Sequence, residues 1–374
     1  YKNSLKKRKR SDGVLYYDCT NYFFCIYEED DLRKYGINKQ HQPRPQVQMG
    51  LFLDGDGLPL AFSIFPGNQS EQTSLKPLEE KILQDFNHSQ FVVCTDSGLA
   101  SYANRHFNNK ADRGFITTQS IKKLKSYLKE WSLDLESGWR LPGRPQQYNI
   151  SQLRLNPELI EKFKSKTFYK ERWIKENGIE QRLIITYSVR YQEYQKRVRE
   201  NQCQRAVSLI DSKPQKIGKP RQNDFKRFIT QTSITSEGEV ATQNHFHLNQ
   251  KAIDDEARFD GIYGVCTNLE DDIETIIKIN KGRWEIEESF MILKSEFESR
   301  PVHLSREDRI KAHFMTCFLS LTLFRYLEKE ITPSRSFYEI LDALRSFNFL
   351  DIPDEGYIPT YTRTSLTDQL YDFL

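Results

Sequence analysis

Apolar and polar positions follow two different periods along this chain, and the period predicts the element. Val14–Cys25 is aromatic and β-branched with partial alternation, and Thr20-Asn21 reads as a break, which predicts strands near 14–20 and 22–27. Gln46–Leu53 and Leu58–Phe65 form a hairpin about Asp54-Gly55-Asp56-Gly57, a turn signal that accounts for both aspartates without a ligand. Short apolar runs at Phe91–Thr95, Gly114–Thr118 and Gly261–Thr267 read as buried strands. Helical spacing marks a segment opened by Ser70 or Thr73 and running to about Asp85, with Leu75, Leu78, Ile82 and Leu83 inward. It recurs over 99–107, 120–131 and 272–279, then in Asn280–Lys294 (NKGRWEIEESFMILK) and Ser336–Leu344. Another such segment, Arg306–Tyr326, turns Ile310, Phe314, Phe318, Leu321 and Phe324 inward and is expected to pack behind the 280–294 helix.

Between 132 and 252 the periodicity weakens. Gly138–Gln147 is rich in Gly, Pro and Arg, while Ile184–Tyr191 alternates like a strand. Phe225–Ile229 and His245–Leu248 read as short strands, and Tyr194–Leu209 and Lys213–Arg227 are polar and basic. The pattern predicts an α/β core interrupted by a mainly β, basic insertion. The expected organisation is a basic arm over 1–11, the first part of the core over 12–131 and the insertion over 132–252. The second part of the core then spans 253–330, and a C-terminal helical extension and tail spans 331–374.

Composition changes this picture little. With 24 Phe and 19 Tyr in 374 residues the chain can bury a sizeable core, which argues against global disorder; the mean hydropathy is −0.70. Fifty-five basic and 52 acidic residues leave a net charge of +3, so only local clusters speak for a polyanionic partner. The cluster Lys2–Arg10 reads equally as a solvated arm or a phosphate-contacting one. The 6 Cys form no CxxC, and a chain of this size needs no disulfides, which favours a reducing compartment. The longest apolar run, Phe314–Phe324, is too short to span a bilayer. A start without Met or signal peptide reads as a fragment or a processed end.

Three acids stand out. Asp18 lies inside an apolar strand, where a carboxylate costs roughly several kcal/mol unless it is paired, protonated or metal-bound. Asp96 closes the strand Phe91–Thr95, the position of ligand groups in α/β folds, although it also fits as a cap of the next helix. Glu287 shares a helix face with Arg283 and Lys294, at spacings of about one and two turns. An Arg/Glu pair of this kind is common on surfaces and alone contributes only ~0.2–0.5 kcal/mol. Three carboxylates brought together repel unless cations lie between them, and the lack of a suitable His or Cys cluster favours Mg²⁺ or Mn²⁺, as a pair of ions. His245 and His247 read as plain strand alternation. Such a site suits in-line phosphoryl transfer, with Arg283 and Lys294 holding phosphate oxygens. A glycosidase would need two acids at a set separation and no flanking cations.

The stretches YYDCTNYFF, PQVQMGLFLDGDGLPLAFSIFPGN, VVCTDSGLAS, FDGIYGVCTN and GRWEIEESFMILK together resemble the DDE transposases of the insertion-sequence-4 superfamily, in its insertion-sequence-1634-like branch. The resemblance implies an RNase H-like core, a mixed five-stranded sheet with flanking helices, interrupted by a β-rich insertion. It also implies divalent-metal-dependent DNA strand cleavage and strand transfer at insertion-sequence ends. Asp18, Asp96 and Glu287 would be the metal ligands, and Arg283 and Lys294 the phosphate-positioning residues. Trp284 would pack inward, with stacking near DNA as the alternative. The implied partners are DNA, as terminal inverted repeats and target, and further copies of the chain assembled on it. No membrane is implied, and the location would be the prokaryotic cytoplasm, associated with the nucleoid. The family's helix motif of Tyr, Arg, Glu and Lys falls on Asn280, Arg283, Glu287 and Lys294, so its first position departs. Only 17 residues precede Asp18, where relatives carry an end-binding region, which reads as an N-terminal truncation. Two alternatives stay open: a truncated remnant that binds DNA without transposing, and a host nuclease of the same fold.

Overall fold

Val14–Phe23 runs as one strand, β1, where two were expected, because Thr20 and Asn21 continue the ladder opposite Met49 and Gln48. Alternation along it separates two faces. Leu15, Tyr17 and Cys19 join Leu75, Leu78 and Ile82 in one buried cluster. Asp18, Thr20 and Tyr22 take the other face, where Tyr22 meets Phe314 edge-on at 4.9 Å. The structure is a computed structural model describing residues 2–37, 43–85, 90–110, 112–212, 217, 224–234, 243–331, 335–354 and 356–373. The expected loop at 36–45 and the basic run at 213–221 lie partly outside these residues. The chain forms two units, Tyr1–Phe115 with Ile277–Leu374, and Ile116–Ile276.

The first unit opens with α1 (Lys2–Lys7) and β1, followed by β2 (Gln46–Asp54), β3 (Pro59–Pro66), α2 (Leu75–Asp85), β4 (Phe91–Thr95) and α3 (Tyr102–Phe107). From there β5 (Arg113–Thr118) leads onward. The expected hairpin joins β2 and β3, β2 runs antiparallel to β1, and β1 runs parallel to β4, in the order β3-β2-β1-β4. The basic arm is only partly solvated. Arg10 is buried in an ion pair with Asp54 and donates to the carbonyls of Leu58 and Pro59 at 3.0 Å each. Asp54 therefore serves the hairpin turn and also anchors the arm.

The second unit carries α4 (Ser126–Leu133), β6 (Trp139–Arg140), β7 (Gln147–Tyr148), α5 (Ile150–Leu155), α6 (Pro157–Phe163), β8 (Thr167–Glu176) and β9 (Ile179–Ser188). It continues through α7 (Val189–Ser212), β10 (Ile229–Ile234), β11 (Gln243–Leu248), α8 (Gln250–Ala257) and β12 (Ile262–Thr267). The stretch expected to be mainly β thus includes a helix of 24 residues. Only Val189 and Ala206 of α7 are buried, so its apolar period is too sparse to read. The alternation over Ile184–Tyr191 was not a one-sided strand either, since every residue of β9 from Gln181 to Tyr187 is buried. The helix expected over 120–131 is a 3₁₀ turn at Ile121–Lys123 followed by α4.

After α9 (Ile273–Gly282) come α10 (Trp284–Met291), α11 (Glu307–Glu330), α12 (Phe337–Ser346), β13 (Phe349–Ile352), β14 (Gly356–Pro359) and α13 (Ser365–Phe373). The single helix expected over 280–294 is divided. It breaks at Arg283, and Ile292–Glu296 widens into a π turn. A Cβ at Gly282 would collide with the Tyr16 hydroxyl, so the backbone approaches β1 closely at the break. As expected, α11 packs against α10, with Cys317 buried and Phe318 half-buried, stacked on Phe62 at 4.9 Å. No helix among the described residues is long and apolar enough to cross a membrane.

Glu79 of α2 is fully buried and accepts from Asn108 Nδ2 at 3.1 Å, and burial pushes its carboxyl up to about 7. The folded state therefore holds a proton that the unfolded chain releases near its ordinary value of 4.5. Stability should fall as pH rises through that window, by about 3 kcal/mol in all. Urea midpoints at about pH 5 and about pH 8 are expected to differ accordingly, and Glu79→Gln should flatten the difference. An unchanged difference in the variant would assign the pH dependence to other groups.

Candidate active site

Side-chain parity on β1 and the ends of β4 and α10 bring the predicted residues to one place. Asp18, Asp96, Arg283, Glu287 and Lys294 all line a single cavity of about 420 Å³ in the first unit, together with Cys19, Thr20, Phe290 and Arg300. Asp18 is half-buried, and its Oδ1 accepts from the Cys19 amide at 2.7 Å. Asp96 Oδ1 accepts from the amides of Gly98 and Leu99 at 2.8 and 3.1 Å, forming a turn of its own. The helix after it starts later and is capped by Ser101, which accepts from the Asn104 amide. The capping explanation for Asp96 is therefore replaced.

At the head of α10, Arg283 Nη1 meets Glu287 Oε1 at 3.0 Å; the Arg283 side chain is 19% exposed and that of Glu287 58%. Lys294 stands in the π turn, whose extra width shifts it from a strict α-helical position. Its ammonium donates to Thr20 Oγ1 and lies 5.5 Å from the centre of the Tyr22 ring. Thr20 was legible as a neighbour of Asp18 on the same strand face, two residues on. Arg300 follows the helix with no periodicity to announce it. Trp284, expected to pack inward, is 54% exposed. Asn280, at the divergent motif position, has a buried side-chain oxygen without a hydrogen-bond partner.

The donor set fits a hard cation. The acids offer oxygen, and the Cys19 thiol, pushed up to about 12 by burial, is shared with Tyr17 and Ser74. Its side chain joins the buried cluster on the face of β1 opposite Asp18, so oxygen donors dominate the site. Among the described residues, however, no three of His, Cys, Asp and Glu converge tightly enough to hold an ion between them. The three acids share a cavity without meeting at a common point.

No curated protein matches the chain. Among solved structures it is similar to a piggyBac transposase in a synaptic complex with hairpin DNA, determined by cryo-EM, at 9% identity and a TM-score of 0.42. That likeness covers 89% of this chain and 52% of the other, so the chain spans about half the length of that relative. Residues 23–323 match the family of the Transposase DDE domain. The matched range contains Asp96, Arg283, Glu287 and Lys294 and begins after Asp18. With most of its length matched, the chain belongs to the Transposase DDE domain family.

Proposed function

We propose that this chain is a DNA transposase of the insertion-sequence-4 superfamily, which cuts and joins strands at insertion-sequence ends. The observation that carries the reading is the shared cavity, where acids from β1, β4 and α10 stand with Arg283 and Lys294. The strand order β3-β2-β1-β4, with β1 parallel to β4, supports an RNase H-like core, and we keep 132–252 as its insertion. Terminal inverted repeats, target DNA and further copies of the chain are the proposed partners, in a prokaryotic cytoplasm.

Asp18, Asp96 and Glu287 would hold Mg²⁺ or Mn²⁺. Bound there, the metal would activate the attacking water or 3′-hydroxyl and stabilise the leaving oxygen. Arg283 presents a planar fork to phosphate oxygens, and its ion pair with Glu287 keeps that fork at the cavity until substrate arrives. Lys294 adds a point charge, oriented by Thr20. Trp284, exposed beside Arg283, is open to stacking on a base.

A DNA-binding remnant is the second reading, favoured by the unpaired buried oxygen of Asn280. Labelled duplex carrying the neighbouring repeat is expected to be nicked in Mg²⁺ or Mn²⁺ and left intact in EDTA. Binding without product in either metal would favour the remnant. Cleavage that persists in EDTA would overturn the carboxylate–metal assignment.

A further inference from the structure

We infer that Arg300 is a third phosphate-contacting cation, holding a backbone phosphate of the DNA strand at the Lys294 end of the cavity; this rests on the function proposed above. Arg300 lines the cavity with Lys294 and Thr20. The other two cations are engaged within the protein, Arg283 by Glu287 and Lys294 by Thr20. Among the described residues Arg300 has no carboxylate at salt-bridge distance, although it is half-buried. A partly desolvated guanidinium with no anion recovers little of its lost hydration, and a phosphate would take up several of its five donors.

The backbone on both sides of Arg300 is fixed. Ser299 is 1% exposed and donates to the Leu293 carbonyl from its amide at 3.1 Å and its hydroxyl at 2.6 Å. Val302 is 2% exposed, its amide donates to the Phe23 carbonyl at 3.0 Å, and it bridges Phe24 in parallel just beyond β1. The guanidinium is therefore presented from an anchored segment tied to the strand that carries Asp18 and Thr20. Such anchoring limits the backbone ordering spent on binding. Three acids and three cations line the cavity, so any divalent ion held by the acids leaves it net positive, which suits a polyanionic strand.

The test measures DNA affinity of the full chain against salt, for the parent, Arg300→Ala and Arg300→Lys, with a labelled duplex. Losing one phosphate contact should make the slope of log K against log salt shallower by about 0.9 in Arg300→Ala, and Arg300→Lys should restore it. A role confined to folding would lower the melting temperature without moving the slope. Equal slopes for the parent and both variants, with DNA binding intact, would overturn the assignment of Arg300 alone. A parent that binds no DNA would bring down the functional reading and this inference with it. Inorganic phosphate at matched ionic strength is the second arm. If it competes with the parent and not with Arg300→Ala while the slopes stay equal, the guanidinium serves a free anion and the DNA assignment falls.

Discussion

Glu287→Gln is expected to lower DNA strand cleavage by at least roughly 10²–10³-fold while leaving the fold and DNA binding in place. Glutamine keeps the length and shape of the side chain, and its carbonyl oxygen can still accept from Arg283. The ion pair it weakens has a Glu287 side chain that is 58% exposed, and exposed pairs contribute only about 0.2–1 kcal/mol. Stability should therefore hardly change. What disappears is one negative charge at a cavity whose proposed chemistry depends on holding divalent cations. DNA binding should be equal or slightly tighter, because a charge that repels phosphate has gone. The comparison is single-turnover cleavage in Mg²⁺ beside an affinity measurement. Glu307→Gln, on an exposed turn of α11, serves as a control that retains full rate. Equal rates for parent and Glu287→Gln would remove Glu287 from the chemistry.

The parts of this site that could be read from the chain were those with a local signature. Asp18 is an acid among apolar neighbours, Asp96 ends an apolar run, and Arg283 and Glu287 stand one helical turn apart. Each can be recognised within a few residues. Arg10 and Asp54 are separated by 44 positions, and nothing near either one announces the pair. Arg300 follows an irregular segment, outside any period. The π turn at Ile292–Glu296 leaves the apolar pattern of Phe290 and Leu293 intact, so it is silent in the sequence. Trp284 is different, because its exposure could have been deduced. It is two positions from the fully buried Ile286, about 200° around an α-helix, and so lies off the buried stripe. The long helix α7 was missed because its residues meet few neighbours, and amphipathic reading detects only helices that bury a face.

Arg325→Met is expected to cost the first unit about 3–5 kcal/mol, the largest stability effect foreseen here. Arg325 lies in the last two turns of α11 among Leu321, Phe324 and Leu327 and is 1% exposed. Its Nη1 reaches Glu328 at 2.6 Å and Glu288 at 2.8 Å, with Glu285 at 3.7 Å. Nη2 donates to Ser289 Oγ at 2.9 Å and to the Glu285 carbonyl at 3.1 Å. One guanidinium thus ties α11 to the side of α10 that turns away from Arg283 and Glu287. Methionine fills similar space but leaves three carboxylates facing one another, with Lys329, 3.3 Å from Glu285, still to offset them. The penalty comes from those stranded charges more than from the lost hydrogen bonds. Adding Glu288→Gln and Glu328→Gln to Arg325→Met should therefore recover much of the stability, a non-additivity that a simple packing defect would not show. Urea unfolding and hydrogen exchange of the α10 amides measure the two effects together. Faster exchange over Trp284–Met291, with slower DNA cleavage under conditions where the chain is still folded, would mean that the network positions Glu287 as well as stabilising the unit. A loss below about 1 kcal/mol would show that these carboxylates find water or protons as readily as they find Arg325.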